Sequence, residues 1–212
     1  LRQMGLGLQL YVGDYDGYFP KHSSLKSETT ALGKPRRRWA DELFPYMTTE
    51  SIYLSPNLGK EERPNMVKPF AHALLEGREA FFGGYGYNYQ YLGNARCPSA
   101  DDRPFHAKAT SILNPSGTLS IGDTKGARDG NPALPYGSGG PGAGNAYYEG
   151  GTDGSDAHRS TPSARNGGWV NLVYVDGHSE ALKPEKLDGL GVNGSGTPHN
   201  GLWNGTGDPR LR

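Results

Sequence analysis

The chain of 212 residues carries 22 basic and 22 acidic side chains, so its formal net charge is zero. Its only basic run is Arg36-Arg37-Arg38, which reads as a solvated turn and not as the Lys/Arg stripe that nucleic-acid phosphates demand. Leu, Ile, Val and Phe make up roughly a sixth of the residues, but disorder goes with high net charge, so the 33 Gly and 16 Pro point to long ordered loops.

Much of the buried area must then come from rings, of which there are 13 Tyr, 6 Phe and 3 Trp. These proportions predict one domain over residues 1–212, with a small sheet, little helix and much loop. The single Cys97 excludes an internal disulfide and a Cys-based zinc cluster. No stretch of 18 apolar residues is present, so the chain as given reads as soluble. It starts without Met in the middle of a helical pattern, which predicts an upstream segment.

In chain order, the first element is a helix over 1–16. Leu1, Met4, Leu8, Tyr11 and Tyr15 recur at helical spacing and form one apolar seam. Gly5, Gly7 and Gly13 each weaken it by about 1 kcal/mol relative to Ala. Asp14, Asp16 and Gly17 read as a helix stop, and Tyr18-Phe19-Pro20 as an extended exit. Residues 17–84 form a variable loop region. It holds a short helical patch at Trp39–Phe44, ended by Pro45, and a second possible helix over Phe70–Phe82.

Sheet strands are expected within 85–123 and 169–183. Tyr85–Tyr91 alternates ring and small or polar residue, the period of a half-buried strand. Asn114-Pro115-Ser116-Gly117 is a turn leading into a strand over Thr118–Asp123. Residues 124–168 are a Gly-rich insertion without apolar period, and loops of that length are usually functional or disordered. Trp169–Val175 alternates again. Asp176-Gly177 signals a two-residue hairpin with both central residues at positive φ, and His178–Leu182 returns as its partner. The tail is 184–212, Gly/Asn/Pro-rich from Gly189 to Arg212, with Leu202 and Trp203 as anchors.

Functional chemistry is sparse. There is no nucleophile motif, and the Gly-rich phosphate patterns fail for want of a strand-to-helix context. The residues therefore point away from an enzyme. Asp153 and Asp156 concentrate hard oxygens in the insertion, with Ser155, Asp129 and Asn131 nearby in sequence. They are the candidate ligands for calcium, against the alternative that they close turns through their own backbone. His158 and His178 could meet Asp123 or Asp176, an arrangement that reads as polar pairing more than as a metal site.

Taken in order, these motifs resemble the type IV pilin-like pseudopilins of bacterial type II secretion systems. Leu1–Tyr11 followed by Asp14-Tyr15-Asp16-Gly17-Tyr18-Phe19-Pro20 is similar to the family's N-terminal helix and its exit. Ser55-Pro56 and Cys97-Pro98 resemble its Cys-Pro-Ser loop. Tyr85-Gly86-Tyr87-Asn88 resembles one strand, and Ile112–Ser116 through Ile121-Gly122-Asp123-Thr124 resembles the next. Gly167–His178 is similar to the closing H-x9-DG signature of a pseudopilin-like group. Asn166 stands where that signature carries His, with His158 as its displaced equivalent.

The resemblance implies an α+β, pilin-like fold: an N-terminal amphipathic helix packed on an antiparallel sheet of about four strands. It further implies a structural subunit, not a catalyst, assembling through that helix into a fibre. The missing upstream half-helix would carry prepilin-type cleavage and methylation and anchor the chain in the inner membrane, with the soluble domain periplasmic or extracellular. Partners would be other pseudopilin subunits and secretion-system components. Some members bind calcium in a C-terminal loop. A second reading is a surface-binding module on the same fold, recognising carbohydrate or another polymer through Tyr147, Tyr148 and Trp169.

Overall fold

The computed structural model describes residues 1–21, 37–61, 63–75, 77–94, 105–124, 163–187, 202 and 205. At its centre is β6, Leu119–Asp123, whose five residues are all buried. It pairs on one side with β3, Tyr85–Tyr87, and on the other with β7, Val170–Tyr174. Outside β7 lies β8, Ser179–Leu182. The result is a four-stranded antiparallel sheet in the order β3-β6-β7-β8. With the helices it makes the fold α+β, as expected.

Both faces of the sheet are covered, and β7 shows how. Its alternation sends Val170, Leu172 and Tyr174 to one apolar cluster and Val173 to the other. The register of β6 against β7 shifts between Leu119 and Ile121. That irregularity, at Ser120, lets Leu119 join the cluster of Leu172 and Tyr174 while Ile121 joins that of Val173. The Ser120 hydroxyl lies 2.9 Å from the Val173 carbonyl and 3.2 Å from that of Tyr174, bonding across the irregularity. Leu187 and Leu202 close the second cluster. Leu202 also accepts the Leu119 N–H at 2.7 Å, which ties the tail to the start of β6.

Helix α1, Arg2–Asp14, adds Met4, Leu8, Tyr11 and Val12 to the first cluster. Val12, outside the expected seam, is buried, whereas Tyr15 is 48% exposed and stacks on Tyr11 at 4.1 Å. Two of the helix-weakening glycines have a packing reason. A Cβ on Gly5 would stand 2.7 Å from Val173 Cγ1 and 2.9 Å from the Gly177 carbonyl; one on Gly7 would meet the Met47 methyl. The Gln9 amide then donates to the Val175 carbonyl. The helix ends as a Schellman-type stop. Gly17 N–H bonds the Val12 carbonyl at 2.9 Å, with Asp16 at φ +51 and Gly17 at φ +82.

Between helix and sheet, α2 (Trp39–Leu43) forms where the short helical patch is expected. The Asp41 carboxylate caps it, accepting the Arg38 N–H at 2.8 Å, and also takes the Ala71 N–H. Trp39 stacks on Tyr87 at 5.7 Å and meets Phe82 edge-on at 6.3 Å, so rings carry this half of the core. The second expected helix does not form. Phe81–Phe82 (β2) pairs instead with Lys68–Pro69 (β1), and among the described residues between them the helical geometry is a 3-10 turn at Ala73–Leu75.

Two strand expectations are also corrected. The Tyr85–Tyr91 alternation stops at Tyr87, because Asn88 is fully buried and its amide donates to the Leu119 carbonyl at 2.8 Å. The chain then turns into the short helix α4, Tyr89–Leu92, after which Gly93–Asn94 (β4) pairs with Phe105–His106 (β5); α3 is the equally short Arg63–Met66. The β7–β8 loop has three residues, not two. Tyr174 N–H bonds the His178 carbonyl at 2.9 Å, and Gly177 N–H bonds the Tyr174 carbonyl at 3.0 Å. Among its residues only Gly177 has positive φ, at +91, so Asp176 is not left-handed. This is the three-residue pattern in which a turn is followed by a left-handed Gly.

Candidate functional site

Helix α1 presents two different faces. Its inner face is sunk into the core, and fully burying Met4 and Leu8 is worth about 1.5–3 kcal/mol each. Its outer face carries Leu6, 61% exposed, and Leu10, 48% exposed. Residues four apart lie one above the other on a helix, so these two leucines form an exposed apolar stripe. Gly13 continues that side, with nothing within 4 Å of where its Cβ would stand. Among the described residues, no helix is long and apolar enough to cross a membrane.

A second constellation sits where β6 leaves the sheet. Asp123 is 1% exposed, and its carboxylate faces the Arg165 guanidinium at 3.6 Å. One oxygen accepts the Asn166 amide at 2.6 Å and the Asn171 N–H at 3.0 Å. Asn166 in turn accepts from Asn57 at 2.6 Å. Arg165 donates to the carbonyls of Gly84 and Thr124, both at 2.6 Å. Burial raises the Asp123 pKa above the ordinary carboxylate value. The Asn171 N–H, Arg165 and Asn166 oppose that rise by favouring the charged form.

Reading the residues in sequence missed this group. Arg165 lies in a polar stretch with no periodicity, and its partners stand far away along the chain. The one available signal was a carboxylate, Asp123, ending an apolar strand. Asn166, in the place of the signature histidine, lies beside Asp123 and Asn57.

The other candidates are placed as follows. His178 meets Asp176, not Asp123: its Nδ1 lies 2.6 Å from the carboxylate and its ring stacks on Tyr174 at 4.1 Å. Trp169 is 43% exposed, but the Lys183 ammonium sits 4.4 Å over its ring, leaving one face at most for stacking. Asp153 and Asp156, with Asp129, Asn131, Tyr147, Tyr148, Ser155, His158, Cys97 and Trp203, lie outside the described residues. Among the described residues no group of three or more His, Cys, Asp or Glu is placed to hold a metal ion.

A shallow cleft of about 340 Å³ opens beside the sheet, lined by Leu1, Tyr85, Asn171, Ser179, Glu180 and Ala181 among others. Comparison with protein-family models, with curated proteins and with solved structures finds no match to this chain.

Proposed function

We propose that the chain is the soluble domain of a structural pseudopilin, a subunit of a type II secretion or type IV pilus-like system that assembles through its N-terminal helix. The observation that carries this reading is the stripe of Leu6 and Leu10 on the outer side of a helix whose inner side is already packed. Two exposed leucines one turn apart cost solvation unless another surface covers them, and the core does not. The ordered motifs of a pilin-like chain and the antiparallel sheet are in keeping with it. On this reading the fold is pilin-like, with α1 as its spine, and the protein is not an enzyme. Its place is the bacterial inner membrane, held by a preceding apolar half-helix, with this domain on the periplasmic or outer side.

The test replaces both leucines, Leu6→Glu with Leu10→Glu. Because both are exposed, the isolated domain should melt within about 0.5 kcal/mol of the parent. In the producing cell, the doubly substituted chain should no longer co-sediment with a fibre or cross-link to other subunits. Undiminished incorporation would sink the assembly reading.

A further inference from the structure

From the seat of Met47 against α1, we infer that its thioether is an oxidation site for a peroxide, and that conversion to the sulfoxide loosens the C-terminal half of the helix. The inference does not rest on the pseudopilin reading.

The chain has three methionines, and all three lie among the described residues. Met4 and Met66 are fully buried, whereas Met47 is partly exposed at the edge of the first cluster. A peroxide in solvent therefore reaches Met47 in the closed fold, and the other two sulfurs only when the core opens. Met47 follows the 3-10 turn Phe44–Tyr46, its N–H bonding the Phe44 carbonyl at 3.1 Å. From there its methyl occupies the slot that Gly7 leaves open on α1, with the sulfur 3.5 Å from where a Cβ on Gly7 would stand. Tyr46, the residue before it, meets Tyr11 edge-on at 6.1 Å and donates to the Asp14 carboxylate at 2.9 Å. This one turn grips α1 at Gly7, Tyr11 and Asp14. The helix is held on the sheet separately, by Gly5 against Val173 and Gly177 and by Gln9 bonded to Val175.

In the oxidation the sulfur gives up two electrons and takes one oxygen of the peroxide, while the other oxygen leaves as water. A methionine sulfoxide reductase returns the thioether. The new oxygen is a strong acceptor, yet at Gly7 the backbone N–H groups of α1 are spent within the helix. An oxygen held there without a donor is unfavourable, so the side chain leaves the slot. The turn then loses its hold at Gly7, and the contacts of Tyr46 with Tyr11 and Asp14 loosen with it.

The parent chain is compared with Met47→Leu, which keeps an apolar side chain at the slot and removes the sulfur. Both are treated with dilute hydrogen peroxide and followed by peptide mass mapping and hydrogen exchange. In the parent, Met47 should take up oxygen about tenfold or more faster than Met4 and Met66. Exchange of the Leu8–Asp14 amides should then quicken about threefold or more while the β6 and β7 amides keep their rates. Met47→Leu, which retains Cys97, should show no such quickening. Equal oxidation of the three methionines, unchanged exchange in the Met47 sulfoxide, quickening spread evenly over the sheet, or the same quickening in Met47→Leu overturns the proposal.

Discussion

Gly177 is the residue on which the closing hairpin turns. At φ +91 it occupies a region that L side chains avoid, and a β-branched residue avoids it most. Gly177→Val should therefore cost about 1–3 kcal/mol, read as a lower melting midpoint. An unchanged midpoint would mean that the loop can be rebuilt without a left-handed residue. Asp41 gives a prediction in pH. Burial raises its pKa, against the pull of the Arg38 and Ala71 N–H groups and the charges of Arg37 and Arg38. Native Asp41 thus holds its proton at higher pH than the unfolded chain does, so protonation favours the native state. Its stability contribution grows as pH falls through the raised native value and is complete below the unfolded one. Urea midpoints of the parent minus those of Asp41→Asn should accordingly rise between about pH 7 and about pH 4. A flat or falling difference would contradict the burial argument.

At the scale of elements, the two ends of α1 should respond oppositely to the same change. Gly5→Ala gains helix propensity but drives a methyl against Val173 and the backbone of Gly177, and backbone cannot swing aside. The expected net loss is about 1–3 kcal/mol. Gly13→Ala meets nothing, so it should gain about 0.5–1 kcal/mol in a thermal melt. If both substitutions moved stability the same way, the close approach of α1 to the β7–β8 loop would be wrong.

The helix, β6 and the β7–β8 hairpin were legible in the sequence because local periodicity and turn chemistry specify them. Tyr85–Tyr91 misled for a physical reason. Its alternation is real through Tyr87, but one buried Asn88 finds a carbonyl on β6 and redirects the chain. Likewise Phe70 and Phe82 are joined by a ring contact at 5.1 Å across a hairpin, which one-dimensional spacing cannot tell from a helix face. The Asp123–Arg165 group was least legible, since each bond joins segments distant in sequence.

For the whole molecule, the C-terminal residues act as a clasp. Leu202 packs on the second cluster and accepts from Leu119, while the Gly205 carbonyl takes the Asn114 N–H at 2.9 Å. Leu202→Ala leaves the backbone bond and removes the packing, so it should cost about 1–2 kcal/mol in urea unfolding. No measurable cost would detach the tail from the core. The contact between Gln9 and Val175 has a consequence in time. The helix meets a residue made 166 positions later, so a growing chain stopped short of Val170 has the residues of β3 and β6 but not those of β7. Met4 and Leu8 then lack the neighbour Val173, and the closing of this core waits for a loop spanning most of the chain. Until residues 170–175 have been made, the inner side of α1 is covered only in part, by α2, β3 and β6, and Leu6 and Leu10 on its other side are open to whatever chaperone or membrane meets them.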